Sequence, residues 1–330
     1  MERVAVQMME ARRLALPQDV AHGRIALLLL DNVAETLLHR QTNHLISMDS
    51  LFDGTLQGLR AMSDLPERFH SFRDELEAKV TSKRRRKKID QYFDEKVDFI
   101  SEREGERLTP TTARCLKKLH KYRNLTYHRD EVRPETLATA VRIYYFLCCD
   151  LLRSLGLPMM GFNGKVPSGL VDLFDGAPPE RFAFDFGAAT TVADQLASDM
   201  HLDHGQVKDE LAGHVLGRLD SLEQDFAYVA EDLGLTSADV LILLQIREDG
   251  DYPYMPVEEL RRKRVPLTST SITEWRIKAD QIRQATDARS AFALFADIED
   301  AFEPIEGNAA EVIDRIERES QRQVDLARGK

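Results

Sequence analysis

A chain of 330 residues can hold one large or two ordinary domains, and its 43% hydrophobic and 31% charged content is that of a globular protein, not of a disordered or fibrous one. The net charge of −11 opposes generic affinity for a polyanion and argues against a protein that coats nucleic acid through bulk charge. The three cysteines, Cys115 and the adjacent pair Cys148 and Cys149, sit in helical patterns where neighbours point apart, so no disulfide framework is implied and a reducing cytoplasm is expected.

Taken in order, residues 1–18 read as a leader. They carry Glu2, Arg3, Glu10, Arg12 and Arg13 without the apolar core of a signal peptide. No later stretch spans a membrane. The first strong helix is expected from Gln18 to His44, apolar in nearly every direction through Ile25, Leu27, Leu29, Leu30, Val33, Ala34 and Leu37. One stripe is polar: Arg24, Asp31, Glu35 and His39 fall within about 80° on a helical wheel, with Asn32 at its edge. The stripe is either the solvent face of a core helix, with Glu35 and His39 paired, or a set in which Asp31, Asn32 and Glu35 line a cleft. Amphipathic helices follow over Ser50–Met62 and Glu67–Lys79, divided by Asp64-Leu65-Pro66. Lys83, Arg84, Arg85, Arg86, Lys87 and Lys88 then form an unbroken basic block, read either as a phosphate-gripping strip or as a solvated helix or hinge.

Ile89–Arg103 continues at helical spacing through Ile89, Phe93, Val97 and Ile100. Thr109-Pro110 opens the next helix, Thr111–Tyr122, with proline suited to a first turn. A long apolar helix over Glu135–Leu155 has the character of a central or dimer-forming element. Glycine and proline crowd residues 156–190, where Phe162, Phe174, Phe182, Phe184 and Phe186 imply a loop draped on a surface; the domain boundary is placed there. Helices return over Val192–Met200, Gly205–Leu233, Ser237–Ile246, Ser271–Thr286, Ser290–Phe302 and Asn308–Ala327, with Thr236-Ser237-Ala238-Asp239 as a start signal. Asp249–Pro266, carrying Arg261, Arg262, Lys263 and Arg264, interrupts them as a loop or short basic helix. No β-alternation of useful length occurs, so the expected class is all-α. His201, Asp203 and His204 are ligand types, but neighbours at a helix start rarely converge on zinc, and no metal or cofactor is expected. Glycine-rich phosphate loops and hydrolase signatures are absent.

The stretch that carries chemistry is Lys121-Tyr-Arg-Asn-Leu-Thr-Tyr-His-Arg-Asp130. Arg123 can hold a phosphate bidentately without losing its charge, and His128 can move a proton near neutrality. Asn124 adds a neutral amide, and Tyr127 precedes the histidine. On a continuous helix Asn124 and His128 share a face while Arg123 and His128 lie about 140° apart. Convergence on one phosphate therefore requires either a break inside the motif or a cleft shared by two copies. The plain alternative is an Arg and a His complementing the dipole of a helix end.

An Arg-Asn-x-x-x-His string between the last two helices of an all-helical unit resembles the HEPN superfamily, many of whose members are ribonucleases. Arg123, Asn124 and His128 match its pattern over a unit spanning about residues 19–158, followed by a linker, 159–190, and a second helical domain, 191–330, in which no family is recognised. The resemblance implies metal-independent RNA cleavage in which the 2′-hydroxyl attacks the adjacent phosphorus, leaving a 2′,3′-cyclic phosphate. It gives proton transfer to His128, the phosphate to Arg123, and ring or phosphate contacts to Asn124. It further implies a homodimer with RNA as substrate, an inhibitory or regulatory protein partner, and a toxin or phage-defence role. HEPN toxins controlled by a nucleotidyltransferase often carry tyrosine two residues after the histidine; this chain has Asp130 there, so such a partner is not expected. The rival expectation is a non-catalytic HEPN-like dimeric scaffold. An enzyme would expose Arg123 and His128 in a groove, whereas a scaffold would bury them in bonds to their own chain.

Overall fold

The computed structural model describes residues 1–62, 66–128, 134–156, 166–176, 187–246 and 255–328; the side chains of Tyr127 and His128, although on a described helix, fall outside it. All regular elements among these residues are helices, so the fold is all-α. They form two compact units, Met1–Leu202 and Asp203–Lys330.

The first unit begins with α1 (Glu2–Ala15), the segment expected to be a leader. It is part of the core instead. Val4, Ala5, Met8, Ala11 and Leu14 are buried, and the helix packs along the next element. Its charges had masked an apolar face at helical spacing. The next helix, α2 (Val20–Arg60), is the axis of the unit, touching helices that precede and follow it. Asp19 caps it, accepting from the His22 backbone N–H at 2.9 Å. Two expected helices merge in α2 because residues 45–49 contain neither proline nor glycine, and the joint is packed. There the buried Asp49 accepts from Thr81 N at 3.1 Å and pairs with Arg103 at 3.3 Å.

A 3₁₀ turn (Glu67–Phe69) leads into α3 (His70–Lys79), α4 (Lys83–Gln91), α5 (Phe93–Arg103), α6 (Pro110–His128) and α7 (Pro134–Leu155). Helix α7 is buried along most of its length, and each large apolar side chain so removed from water contributes about 1.5–3 kcal/mol. It lies against α2, where the Cys148 thiol donates to the Leu30 carbonyl at 3.4 Å, and burial pushes that thiol well above its ordinary pKa. The short α8 (Ser168–Leu173) rests on α1. Gly169 N donates to Glu2 Oε1 at 3.0 Å, and a Cβ on Gly169 would come within 2.6 Å of Val6 Cγ2, so only glycine allows this approach. The described part of the 156–190 stretch, expected to be a linker or draped loop without regular structure, thus holds α8 and the start of the next helix; Phe162, Phe182, Phe184 and Phe186 lie outside the described residues. Helix α9 (Ala188–Ser198) belongs to this unit as well, since Tyr145 Oη donates to the Leu196 carbonyl at 3.0 Å. The division between units falls after Leu202, not inside 159–190.

The second unit holds α10 (His204–Leu233), α11 (Ser237–Gln245), α12 (Val257–Leu260), α13 (Ser269–Gln284) and α14 (Ala288–Ala327). Gly234, at φ 66°, closes α10 in the left-handed conformation that glycine adopts without penalty. Two expected helices fuse in α14, which continues through Pro304 because buried Phe302, Ile305, Ala309 and Val312 fix both sides of it. Buried Glu299 of α14 pairs with Arg218 of α10, whose guanidinium also holds Glu306 and lies 4.6 Å from the Phe302 ring centre. The expected helix start at Thr236 is a capping box with Asp239. Asp239 is also gripped by Arg261 of the expected basic loop, at 2.7 and 2.8 Å.

No helix among the described residues is long and apolar enough to cross a membrane, and the three cysteines are free and buried.

The Arg261 bonds, followed by those of Thr236, hold the Asp239 carboxyl well below the usual carboxylate range. A group depressed on folding stabilises above its unfolded pKa, about 4 for Asp, and that contribution is lost as pH falls below it. Asp239→Asn should therefore cost about 1–2 kcal/mol at pH 7. It should also remove part of the loss of stability seen on acidification below about pH 4. Denaturation followed by the fluorescence of Trp275, the only tryptophan and one that lies in this unit, checks both. An unchanged midpoint at neutral pH would rule out the bridge as a stabilising element.

Candidate active site

Helix α6 positions the motif. The Thr109 hydroxyl accepts from Thr112 N at 3.2 Å ahead of Pro110, and the helix then runs without a break through His128. Near its end Arg24 of α2 donates to the Thr126 carbonyl at 2.9 Å, satisfying one of the groups that a helix terminus leaves open. The unbroken backbone sets Arg123 and His128 about 140° apart within one chain.

What Arg123 faces is a carboxylate. Asp31 of α2 is fully buried, and donors from two helices meet it. His120 Nδ1 lies 2.9 Å from Oδ1, and Tyr144 Oη of α7 donates to the same oxygen at 2.8 Å. Arg123 Nε stands 3.2 Å from Oδ2, an ion contact too bent to be a hydrogen bond. A charge taken this far from water survives in a bundle only when cations and donors surround it. Burial and the neighbouring Asp31 charge push the Tyr144 hydroxyl well above its ordinary pKa, so it stays neutral and donates. The His120 ring is stacked on Phe93, with centres 4.0 Å apart and planes 4° from parallel. Stacking on one side and Asp31 at Nδ1 leave the ring a single orientation, with no bond to Nε2 among the described residues.

Arg123 Nη1 donates to Asn124 Oδ1 at 2.9 Å, so motif neighbours hold each other. The arginine is bonded to its own chain along one edge yet 28% exposed, between the two extremes expected of an enzyme and of a scaffold. The polar stripe of α2 divides. Asp31 meets Arg123 in an ion contact. Glu35 is half-buried one turn on, close enough to Tyr144 for its charge to act there. Asn32 points elsewhere, accepting from Arg3 and Gln7 of α1 at 3.0 Å each, and does not line the site. His39 is bonded to Asn43 of its own helix, not to Glu35. Tyr127 and His128 continue the α6 backbone, with side chains outside the described residues, as is Asp130. His120 was missed because it precedes the motif, though its spacing of three residues to Arg123 and four to Asn124 marks the same helical face.

The basic block forms α4, capped by Ser82. Arg85 pairs with Glu102, Arg86 donates to the Thr81 carbonyl at 2.9 Å, and Lys88 stands 3.7 Å from Glu95. Lys83, Arg84 and Lys87 are exposed on one face with no partner among the described residues. Lys83 and Arg84 stand in the first helical turn, where cations oppose the dipole at about 0.3–1 kcal/mol each, so helix stability does not explain these two. Phe93, which holds His120, lies two residues past the end of α4.

Among the described residues no group of three or more His, Cys, Asp or Glu is arranged to hold a metal ion. Asp203 instead caps α10 by accepting from Gln206 N at 3.0 Å, and His204 Nδ1 accepts from Ala288 N at 3.1 Å. Comparison of the chain with protein families, curated proteins and solved structures finds no match in any of the three.

Asp31→Asn keeps the shape of the side chain but sets an amide among donors. Loss of one partner from a buried charged cluster costs about 3–5 kcal/mol, which should appear as a lower midpoint in denaturation followed by circular dichroism. A variant as stable as the parent would mean that Asp31 does not organise the site.

Proposed function

We propose that this protein is a metal-independent endoribonuclease of HEPN type. The observation that carries the proposal is the meeting of Arg123 and His120 at the buried Asp31, with Asn124 held by Arg123, which makes a preorganised, partly exposed polar site. Such a site suits a phosphodiester, whose growing negative charge Arg123 would stabilise. His128 is the proton-transfer group of the motif, and His120, held by Asp31, is the second imidazole. One takes the proton from the RNA 2′-hydroxyl as its oxygen attacks phosphorus. The other returns a proton to the departing 5′-oxygen, leaving a 2′,3′-cyclic phosphate and a 5′-hydroxyl. Because α6 is continuous, the wide angle between Arg123 and His128 supports pairing of two copies so that each site draws on both. The activity requires restraint in a cell, which favours a toxin or phage-defence effector held by a regulatory protein. The expected compartment is the cytoplasm.

Purified protein incubated with RNA should yield cyclic-phosphate ends at a rate that EDTA does not alter. His128→Ala should reduce it by about two to four orders of magnitude. Arg123→Lys, which keeps the charge but loses the planar fork, should lose most activity while melting close to the parent. Cleavage by His128→Ala at the parent rate would end the proposal.

A second reading, a dimeric scaffold without catalysis, is favoured by the bonds of Arg123 to its own chain. The α4 face separates the two readings, because a scaffold has no use for a grip on phosphates. Replacing Lys83, Arg84 and Lys87 together by Gln should weaken RNA binding and lower the slope of log K against log salt by about 2, near 0.7 for each phosphate of a single strand that is no longer neutralised. Filter binding across a salt series measures it, and an unchanged slope would remove this face from RNA binding.

A further inference from the structure

The first unit contains a cavity of about 300 Å³ away from the Asp31 cluster. The end of α1, the start of α2, the first turns of α7 and the residues after α9 enclose it. Its walls are mostly apolar, with Leu16, Val20, Leu137, Val141 and Met200 among them. The charged groups on the wall are not equivalent. Arg12 is bound to Asp199 at 2.6 Å, closing one side. Asp19 is occupied with capping α2 and lies 2.6 Å from His22 Nδ1; those contacts, led by the His22 backbone N–H, hold its carboxyl below the usual range. His201 is exposed at the margin. Arg142 remains: half-buried on α7, lining the cavity, with no hydrogen bond or ion pair among the described residues.

A guanidinium removed from part of its water without a counter-ion is costly, and an anionic head offers it charge-assisted, bidentate bonds. Ala138 and Arg142 are one helical turn apart on α7, as are Leu137 and Val141, so the cation and the apolar wall belong to one face. The volume lies at the lower end of small-molecule sites, which suits a ligand with a single ring and one charged head. We propose that this cavity binds a small anion with an apolar body, a carboxylate or a phosphate monoester, whose charge is taken by Arg142. The site is independent of whether the Arg123 cluster cleaves RNA. Helices α2 and α7 nevertheless line the cavity and also carry Asp31 and Tyr144, so a ligand held here bears on the two helices that build the other site.

Calorimetric titration of the full chain with benzoate and with phenyl phosphate tests this, with benzyl alcohol as the neutral control. At least one of the anions should bind saturably at one site per chain, and the better of them identifies the head group. Benzyl alcohol should bind at least about tenfold more weakly, the scale of one charge-assisted bond. Arg142→Met, which keeps an unbranched apolar stem, should weaken the anion by a similar factor while circular dichroism stays unchanged. Ala138→Trp, which fills the cavity from a half-buried position, should abolish binding and serves as the check if the methionine variant folds poorly. The proposal is overturned if neither anion saturates, if benzyl alcohol binds as well as they do, or if the folded variants bind like the parent.

Discussion

The first unit is organised around a carboxylate that has no business in an apolar bundle unless it is surrounded. Asp31 sits at the middle of the longest buried stretch of α2, and α6 and α7 each send it at least one polar group. That single charge ties three helices to one another in rotation as well as in distance. Apolar packing alone tolerates small rotations of a helix about its axis; an acceptor that must meet His120, Tyr144 and Arg123 together does not. The face of α6 turned toward the site is thereby fixed, and the motif with it.

The same device recurs. Asp49, further along α2, gathers the Thr81 amide and Arg103 where α3, α4 and α5 approach. In the second unit Glu299 gathers Arg218, and Asp239 gathers Arg261 and Thr236. Each places one acid at a junction of helices and meets it with a cation from a distant part of the chain. An acidic protein of this kind hides part of its negative charge in bonds, while the α4 cations Lys83, Arg84 and Lys87, which have no partner among the described residues, stay outside. The local charge of that face thus differs in sign from the chain as a whole.

Preorganisation and exposure are balanced at Arg123. An ion contact with Asp31 and a hydrogen bond to Asn124 restrict the guanidinium, and part of it remains exposed. The stacked His120 obeys the same logic, with one nitrogen bonded and the ring immobilised by Phe93.

The sequence by itself determined the helical class, the motif string on α6, the helix start at Thr236 and the polar stripe of α2 that holds Asp31, because those depend on spacing within one element. Continuity of α14 was hidden by a local signal. At Pro304 the burial of flanking residues outweighs one lost backbone bond, a comparison that needs the partner helices. The place of α1 in the core, the attachment of α9 to the first unit and the turn of Asn32 toward α1 were equally out of reach, since helical periodicity gives a face but not its neighbour. His120 was decided by tertiary structure alone: its role comes from Asp31, 89 residues earlier, and from Phe93 on another helix. Spacing fixes which side chains travel together along a helix, and only packing decides what they meet.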